Sequence, residues 1–213
     1  MPWTVAWPAA SAVKLYGVAL SNGESWRSPV PATTVLSFRD LAAIVRPAPF
    51  ERMKVAEAEM EDYTDVVSRI FAQVTILPAP YGTIFKSPDV VQQWLETNHI
   101  ALGEGLHFVN GRCEARVHIT EAEDVERPRR SADHGAAAAE CFRHLGKFAA
   151  ASMPLKERGD PPALLSGAFL VPRETWSEFR EQVQEQDRRS TGLAFELTGP
   201  WAPFDFVRME FGV

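Results

Sequence analysis

Apolar positions along this chain follow two periods, one typical of strands and the other of helices. Residues 113–119 alternate strictly between apolar and polar side chains, which predicts a half-buried strand. Residues 166–171 are apolar on both faces and predict a central strand. With short apolar runs bounded by turn residues, the pattern predicts strands or extended segments at 13–20, 34–38, 41–45, 78–85, 113–119, 166–171, 193–198 and 204–211.

Helical periodicity is strongest in residues 51–74, where apolar side chains recur at spacings of three and four. This pattern predicts one helix laid on a sheet. A short coiled coil would show the same pattern, and the flanking strands favour the single helix. Ser87 and Pro88 predict the start of another helix, whose end we place near Gly103 and Gly105. Two further helices are predicted, at 135–151 and 172–189.

The order of these elements favours an α+β fold with two domains. From residue 113 onward the order is strand, helix, strand, helix, strand, which suits a ferredoxin-like domain with helices on one face of an antiparallel sheet. The first half predicts an N-terminal α/β-sandwich-like domain. We place the boundary in the weakly patterned stretch 103–111, which gives domains at 1–107 and 108–213. Loops are predicted at 120–133 and 154–162, and a turn at 199–203.

The composition is that of an ordinary globular protein, and it argues against several function classes. Apolar residues make up 46% of the chain and charged residues 23%, enough for a sizeable core. A net charge of -6 argues against a general nucleic-acid binder, which needs a concentrated basic face. No apolar run suits a membrane span, and the first residues do not read as a signal peptide. The two distant cysteines, Cys113 and Cys141, imply no disulfide framework.

No pattern of residues points to a catalytic, metal or cofactor site. The five histidines form no closely spaced ligand pair, and the chain has no phosphate-binding loop, dinucleotide-binding glycine motif or nucleophile elbow. A catalytic triad stays open, because its members need only be neighbours in space. We predict a protein that is not an enzyme and that uses no metal and no cofactor. The alternative is an enzyme or small-ligand-binding protein on a ferredoxin-like fold, recognisable by a deep pocket with convergent polar groups.

Two stretches have a more specific pattern. Residues 76–85 read Ile-Leu-Pro-Ala-Pro-Tyr-Gly-Thr-Ile-Phe. The second stretch begins with Gly-Ala-Phe-Leu-Val-Pro at 167–172, continues through a helix, and ends with Gly-Pro-Trp-Ala-Pro-Phe-Asp-Phe at 199–206. With an opening strand that contains Leu-Tyr-Gly-Val at 15–18, these stretches resemble the gas vesicle GvpF/GvpL family in order, spacing and chain length. The chain is identified on these motifs as a member of that family.

The resemblance has three departures and a clear functional implication. The family often has an arginine, a histidine and a proline at the places of Pro80, Tyr63 and Ala202. The resemblance implies a non-catalytic accessory protein in the assembly of gas vesicles, located at the vesicle or in the cytoplasm of a prokaryote. It implies binding to the hydrophobic shell protein GvpA and other gas vesicle proteins, retention as a minor vesicle component, or both. Neither nucleic acid nor a lipid membrane is an implied partner.

The family motifs supply the candidate partner-binding residues. Each candidate also has a structural explanation, because Gly82 can supply an unusual backbone angle and Pro200 and Trp201 can form a rigid turn. The candidates are Pro78, Tyr81, Gly82, Thr83, Phe85, Gly199, Pro200, Trp201, Pro203, Phe204 and Phe206.

Overall fold

A computed structural model of the protein describes residues 12–21, 27–50, 56–122, 132–156, 163–207, 209 and 211. The chain divides into two compact units, one within residues 1–110 and 207–213 and the other within 111–206. The boundary predicted between residues 107 and 108 lies inside a helix that continues to Val109. Nothing in the sequence pattern indicates that the last residues return to the first unit.

The first unit is an antiparallel sheet with three helices. The strand order is β2-β3-β1-β4, and β5 pairs with the same edge of β1 as β4 does. All pairings in this sheet are antiparallel. In chain order the elements are β1 (Val13–Leu20), β2 (Thr34–Phe38), β3 (Leu41–Pro47), α1 (Glu57–Phe71), β4 (Ile76–Pro78), β5 (Ile84–Phe85), α2 (Pro88–Thr97) and α3 (His99–Val109).

The second unit has the strand order of a ferredoxin-like fold. Its sheet runs β7-β8-β6-β9, so the first and third strands in the sequence of the unit lie at the centre. The fold class predicted from the sequence is therefore confirmed. The elements are β6 (Arg112–Glu121), α4 (Ala132–Leu145), β7 (Ala151–Pro154), β8 (Leu165–Pro172), α5 (Trp176–Arg189) and β9 (Leu193–Trp201).

Strand β7 completes this order, and its prediction as helix end and loop was wrong. The strand has four residues and lies at the edge of the sheet, so it lacks the long apolar alternation that marks the central strands. The extended segment predicted at 204–211 was also wrong over residues 204–206, which form a turn; residues 208 and 210 lie outside the described residues. The turn predicted at 199–203 is instead the end of β9, which continues to Trp201.

Strand β1 forms the centre of the first unit, because β3 flanks one edge and β4 and β5 flank the other. Every residue of β1 except the last is buried. Helix α1 contacts β1 and β4 as one helix laid on a sheet, which confirms that prediction. Its buried stripe is shorter than predicted, because Met60 in its first turn is 42% exposed. The predicted residues 51–55 lie outside the described residues.

The sequence predicted one helix that starts at Pro88 and ends near Gly103 and Gly105, and this prediction was wrong. The structure has two helices, which meet at Asn98, and the second continues through Gly103 and Gly105. Neither glycine has a positive φ, so neither ends the helix; Gly111, with φ 69°, follows the helix end instead. A Cβ at Gly105 would lie 3.1 Å from a methyl group of Leu77, so this glycine allows close packing.

Gly17 lies where β1 leaves no room for a side chain against β4, so we expect one added methyl group to have a large effect. A Cβ there would lie 2.5 Å from the backbone oxygen of Leu77, which cannot move without disturbing the sheet. We expect Gly17→Ala to lower the free energy of unfolding by about 2–3 kcal/mol. Gly103→Ala is the control: no atom lies within 4 Å, and a helical alanine should raise stability by about 0.5–1 kcal/mol. Urea denaturation measures both, and equal stability of the two variants would contradict the close approach.

Candidate functional site

The first family motif forms a loop that leaves the edge of β1 and returns to it. Before the loop, the amide of Ala79 donates to the carbonyl of Tyr16 (3.0 Å). After the loop, the amide of Leu15 donates to the carbonyl of Thr83 (2.9 Å). Because Leu15 and Tyr16 are neighbours on β1, residues 80–82 have no place in the ladder and protrude from it. The motif is therefore an interrupted edge strand with an inserted turn.

This turn depends on Gly82. The amide of Thr83 donates to the carbonyl of Pro80 (3.1 Å), and the Thr83 hydroxyl donates to the same oxygen (2.7 Å). Gly82 has φ 84°, the angle that the third residue of a type II turn requires. The unusual backbone angle predicted for Gly82 is confirmed. The turn fixes the direction in which Tyr81 leaves the sheet.

Tyr81 joins the other two tyrosines of the chain around one buried lysine. The rings of Tyr16 and Tyr63 are stacked with centroids 6.0 Å apart, and the ring of Tyr81 meets that of Tyr63 edge-on at 5.6 Å. The Lys14 ammonium lies 5.1, 5.9 and 5.4 Å from the centroids of Tyr16, Tyr63 and Tyr81. Lys14 is only 7% exposed, so the three ring faces replace part of its hydration. We call these four residues the tyrosine cluster.

Charged groups on neighbouring elements surround the tyrosine cluster. Arg46 on β3 stands directly opposite Lys14 on β1, which places two cations side by side. Asp62 on α1 counters them: its two oxygens each lie 3.0 Å from Nη1 of Arg46. Asp62 also accepts a hydrogen bond from the Tyr16 hydroxyl (3.1 Å). One carboxylate thus connects the helix to two strands.

The remaining tyrosine hydroxyls fasten the protruding turn. The Tyr81 hydroxyl donates to Glu59 on α1 (3.3 Å). The Tyr63 hydroxyl donates to the carbonyl of Ala79, just before the turn. Both bonds run between α1 and residues 79–81, so the helix holds the motif against the sheet.

Burial governs the protonation of the tyrosine cluster. It raises the pKa values of Tyr16 and Tyr63 far above the usual value, so both hydroxyls stay protonated and donate. Burial also lowers the pKa of Lys14, against the raising effect of nearby carboxylates. Burial alone would raise the pKa of Asp62, but the hydrogen bonds from Arg46 and Tyr16 leave it below its usual value. The arrangement suits structural support better than proton transfer, because no hydroxyl is easily ionised.

The sequence motif identified Tyr81 as a candidate residue, but it did not identify the residues that contact or surround Tyr81. Lys14 inside a buried apolar strand was a visible signal, since lysine is seldom buried without a special environment. Arg46 and Asp62 carried no such signal, because charged residues at a strand end or on a helix are ordinary. Two of the departures from the family pattern, Tyr63 and Pro80, lie at this cluster and its turn.

A substitution of Asp62 tests this electrostatic arrangement. In Asp62→Asn the negative charge between Arg46 and its neighbouring lysine is lost, so two cations face each other. We expect a loss of about 1–2 kcal/mol in the free energy of unfolding, reduced from the value for a buried pair because Asp62 is partly exposed. Asp65→Asn is the matched control on the same helix. Asp65 pairs with Arg69 at 3.5 Å with both side chains more than half exposed, so its loss should cost at most about 0.5 kcal/mol. Equal effects in urea denaturation would contradict a central role for Asp62.

Pro78 and Phe85, the first and last candidates of the first motif, pack against other residues of the first unit. Pro78 is buried and pairs with Gly17. Phe85 is half-buried and its ring lies 5.5 Å from that of Trp94 and 5.9 Å from that of Phe211. Trp94 and Phe211 are themselves stacked at 5.2 Å. The aromatic end of the chain therefore packs within the first unit.

The last part of the second family motif, residues 199–206, begins with a close approach of two backbones. Gly199 has φ 124°, and a Cβ there would lie 2.8 Å from the carbonyl oxygen of Glu114 and 3.1 Å from the ring of Trp176. The pairing of β6 with β9 shifts register at this point, and Glu114 then pairs with Trp201. A side chain at position 199 fits neither the backbone angle nor the space.

The rest of the second motif divides between surface and interior. Trp201 is 37% exposed, and its indole N–H donates to the Thr198 hydroxyl (3.2 Å). Pro203 is buried, and Phe204 and Phe206 are half-buried. Trp201 is therefore the candidate aromatic side chain of this motif that offers the largest surface to a partner.

A fully buried carboxylate holds the interior part of this motif. Glu114 is 0% exposed and accepts hydrogen bonds from the amide of Asp205 (2.8 Å) and from Nε of Arg116 (2.7 Å). Its strand position predicted a side chain on the solvated face, and that prediction was wrong because residues 202–206 fold over it. Burial raises the pKa of Glu114 to about 7, with a further contribution from the neighbouring Asp205 carboxylate.

A substitution of Gly199 tests the close approach of β9 to β6. We expect Gly199→Ala to lower the free energy of unfolding by about 2–4 kcal/mol, because it adds both backbone strain and a clash with the Glu114 carbonyl. Gly135→Ala on α4 is the control, where no atom lies within 4 Å and alanine favours the helix. Thermal unfolding followed by circular dichroism measures both variants. A Gly199→Ala protein as stable as the unmodified chain would exclude the backbone contact described.

The described residues show little sign of other chemistry. Within the ranges that the structure describes, no group of three or more His, Cys, Asp or Glu side chains could hold a metal ion. Among those same residues, no helix is long and apolar enough to cross a membrane. Both cysteines are free, and burial raises the pKa of Cys113 to about 11, so its thiol is a poor nucleophile.

Comparisons with known proteins agree with the motifs. The chain matches the family described as gas vesicle synthesis protein GvpL/GvpF over residues 15–134 and 125–208. It is 22% identical to gas vesicle protein F2 of Halobacterium salinarum, over 83% of this chain and 81% of that protein. It is 21% identical to gas vesicle protein F1 of the same organism, over 83% of this chain and 82% of that protein.

Two solved structures share the fold. The crystal structure of gas vesicle protein GvpF from Anabaena matches with a TM-score of 0.78 and 18% identity, over 95% of this chain and 98% of that one. The structure of GvpF from Microcystis aeruginosa matches with a TM-score of 0.77 and 15% identity, over 94% of this chain and 100% of that one. The α+β architecture is therefore that of two crystallised gas vesicle proteins.

Proposed function

Because the chain belongs to the GvpL/GvpF family of gas vesicle synthesis proteins, we propose that it acts in gas vesicle assembly by binding the small hydrophobic shell protein, GvpA. The observation that carries this proposal is the family match, which covers residues 15–208 in two overlapping parts. On this proposal the protein is a non-catalytic accessory factor. It works with other gas vesicle proteins in the cytoplasm of a prokaryote, at or near the growing vesicle.

The physical need for such a factor follows from the nature of the shell. A subunit that faces gas carries an apolar surface, and that surface aggregates in water before assembly. A soluble partner can cover the surface with aromatic side chains or with a sheet edge. The motif candidates that suit the first mode are Pro200 and Trp201, which are exposed at the end of β9.

The second mode, addition of a strand to a sheet edge, has less support in the second unit. On β9, the amide of Leu193 donates to the Ser190 carbonyl (3.2 Å), and the amide of Phe195 donates to the Asp187 carboxylate (3.0 Å). Pro200 further along the strand has no amide hydrogen to offer. The opposite edge, β7, has only four residues and ends in Pro154. These features protect the edges, so we favour contact through the Trp201 side chain.

A binding experiment with one changed side chain tests this contact. We expect Trp201→Ala to weaken binding to purified GvpA at least about tenfold, because a large aromatic side chain at an interface is often worth more than about 1.4 kcal/mol. The matched control is Ile100→Ala on α3, another apolar side chain, 75% exposed and distant from the family motifs in sequence. Circular dichroism and thermal unfolding should show that both variants are folded.

The outcomes of this experiment distinguish an error in the assigned contact surface from an error in the assigned partner. Weaker binding only in Ile100→Ala would move the contact to α3 and overturn the assignment of Trp201. No binding by the unmodified protein would overturn GvpA as the partner. Removal of the whole segment 200–213 is a poor test, because Phe211 and Asp205 are tied into the two units and their loss disturbs folding.

Washed vesicles decide between a transient factor and a retained component. Vesicles are isolated, washed with high salt and then with detergent, and the protein is quantified against the shell protein after each step. Loss on washing favours a transient assembly factor. Retention at a constant ratio favours a minor structural component of the vesicle.

A further inference from the structure

The carboxyl groups of Glu114 and Asp205 approach the same cation, Arg116. Arg116 is 2.7 Å from one Glu114 oxygen through Nε and 2.9 Å from Oδ2 of Asp205 through Nη2. The second contact is close enough for an ion pair but not aligned as a hydrogen bond. Oδ2 of Asp205 is buried and has no hydrogen-bond partner among the described residues. A buried carboxylate oxygen without a donor is costly, and a proton between the two carboxyl groups would satisfy it.

Among the described residues Arg116 is the cation that contacts Glu114, and Arg112 lies two positions earlier on the same strand. From its own strand the charged neighbour is Arg116, and from the segment after β9 it is Asp205. The residues that pair with Glu114 across the sheet, Leu170 on β8 and Trp201 on β9, are uncharged. In the described part of the chain the site thus has two carboxyl groups and one guanidinium, and it is neutral only when it also holds one proton.

We propose that Glu114 keeps a proton at neutral pH and donates it to the buried Oδ2 of Asp205, and that loss of this proton loosens residues 202–206. This proposal concerns regulation within the chain and does not depend on GvpA as partner. When the proton dissociates to solvent, two carboxylates face each other over one guanidinium. Asp205 lies on the less firmly paired element, a turn after the last strand, so repulsion moves that segment rather than strand β6.

The sign of the pH effect follows from burial. The pKa of Glu114 is raised to about 7 in the folded protein, above its value in the unfolded chain. The folded state therefore binds this proton more tightly than the unfolded state does. Its stabilising contribution is complete below the unfolded pKa and is lost as the pH rises toward 7. Above neutral pH the Asp205 amide and Arg116 still contact Glu114, but the carboxylates of Glu114 and Asp205 repel each other.

Carboxyl carbon NMR of the full chain measures the pH at which Glu114 loses its proton. The Glu114 resonance is identified by its absence in Glu114→Gln and followed from pH 4 to pH 9. We expect a midpoint near neutral pH, lowered by about one pH unit in Asp205→Asn, because removal of a like charge favours ionisation. Arg116→Gln should shift the midpoint in the opposite direction. A Glu114 midpoint below pH 5, or one that Asp205→Asn does not move, would overturn the proposal.

Hydrogen exchange in the unmodified protein supplies a readout that needs no variant. The amide of Asp205 donates to Glu114, and the amide of Val183 in helix α5 serves as the internal reference. We expect the Asp205 amide to lose protection more steeply than the Val183 amide as the pH rises through neutrality. If both amides show the same pH dependence after correction for intrinsic exchange, residues 202–206 are not loosened and the proposed device is absent.

Discussion

A single buried ammonium, that of Lys14, determines much of the arrangement of the first unit. It lies in the central strand of the sheet, where apolar neighbours offer no hydration, so its charge must be met by nearby groups. The ring of Tyr16 on β1, the ring of Tyr63 and the carboxylate of Asp62 on α1, and the ring of Tyr81 on the protruding turn meet it. The turn, the helix and two strands are thus positioned with respect to one charged atom. The turn at Gly82 in the first family motif places Tyr81 beside that atom.

The second unit buries an acidic group in the corresponding place. Glu114 on the central strand β6 is fully buried, and its carboxyl group is held by Arg116 and by the amide of Asp205. In both units, therefore, a family motif contacts an ionisable side chain of a central strand. This gives the motifs a structural meaning that is independent of any partner. It also separates Trp201, which stays exposed, from the motif residues that serve the interior.

The strongly patterned parts of the fold could be predicted from the sequence, and the parts that depend on distant contacts could not. Strand β1 and the alternating strand β6 were predicted because their apolar residues follow the period of a strand over their whole length. Strand β7 was missed because four residues at a sheet edge do not establish a period. Glu114 was assigned to the solvated face because alternation shows which face a residue is on, but not what later segment covers that face. The unusual backbone angle of Gly82 could be predicted locally, but the extended segment predicted at 78–85 was wrong at the turn over residues 80–83. The lysine and aspartate near Tyr81 come from remote elements.

The stacking of Phe211 on Trp94 means that the first unit is discontinuous in sequence. During synthesis, the ribosome produces residues 12–110 first, and then the whole of the second unit, before the aromatic side chain that completes the first unit becomes available. The first unit must therefore wait with Trp94 and Phe85 incompletely covered while the second folds. The first unit can therefore be completed only after the second has been synthesised, which fixes the order in which the two units mature.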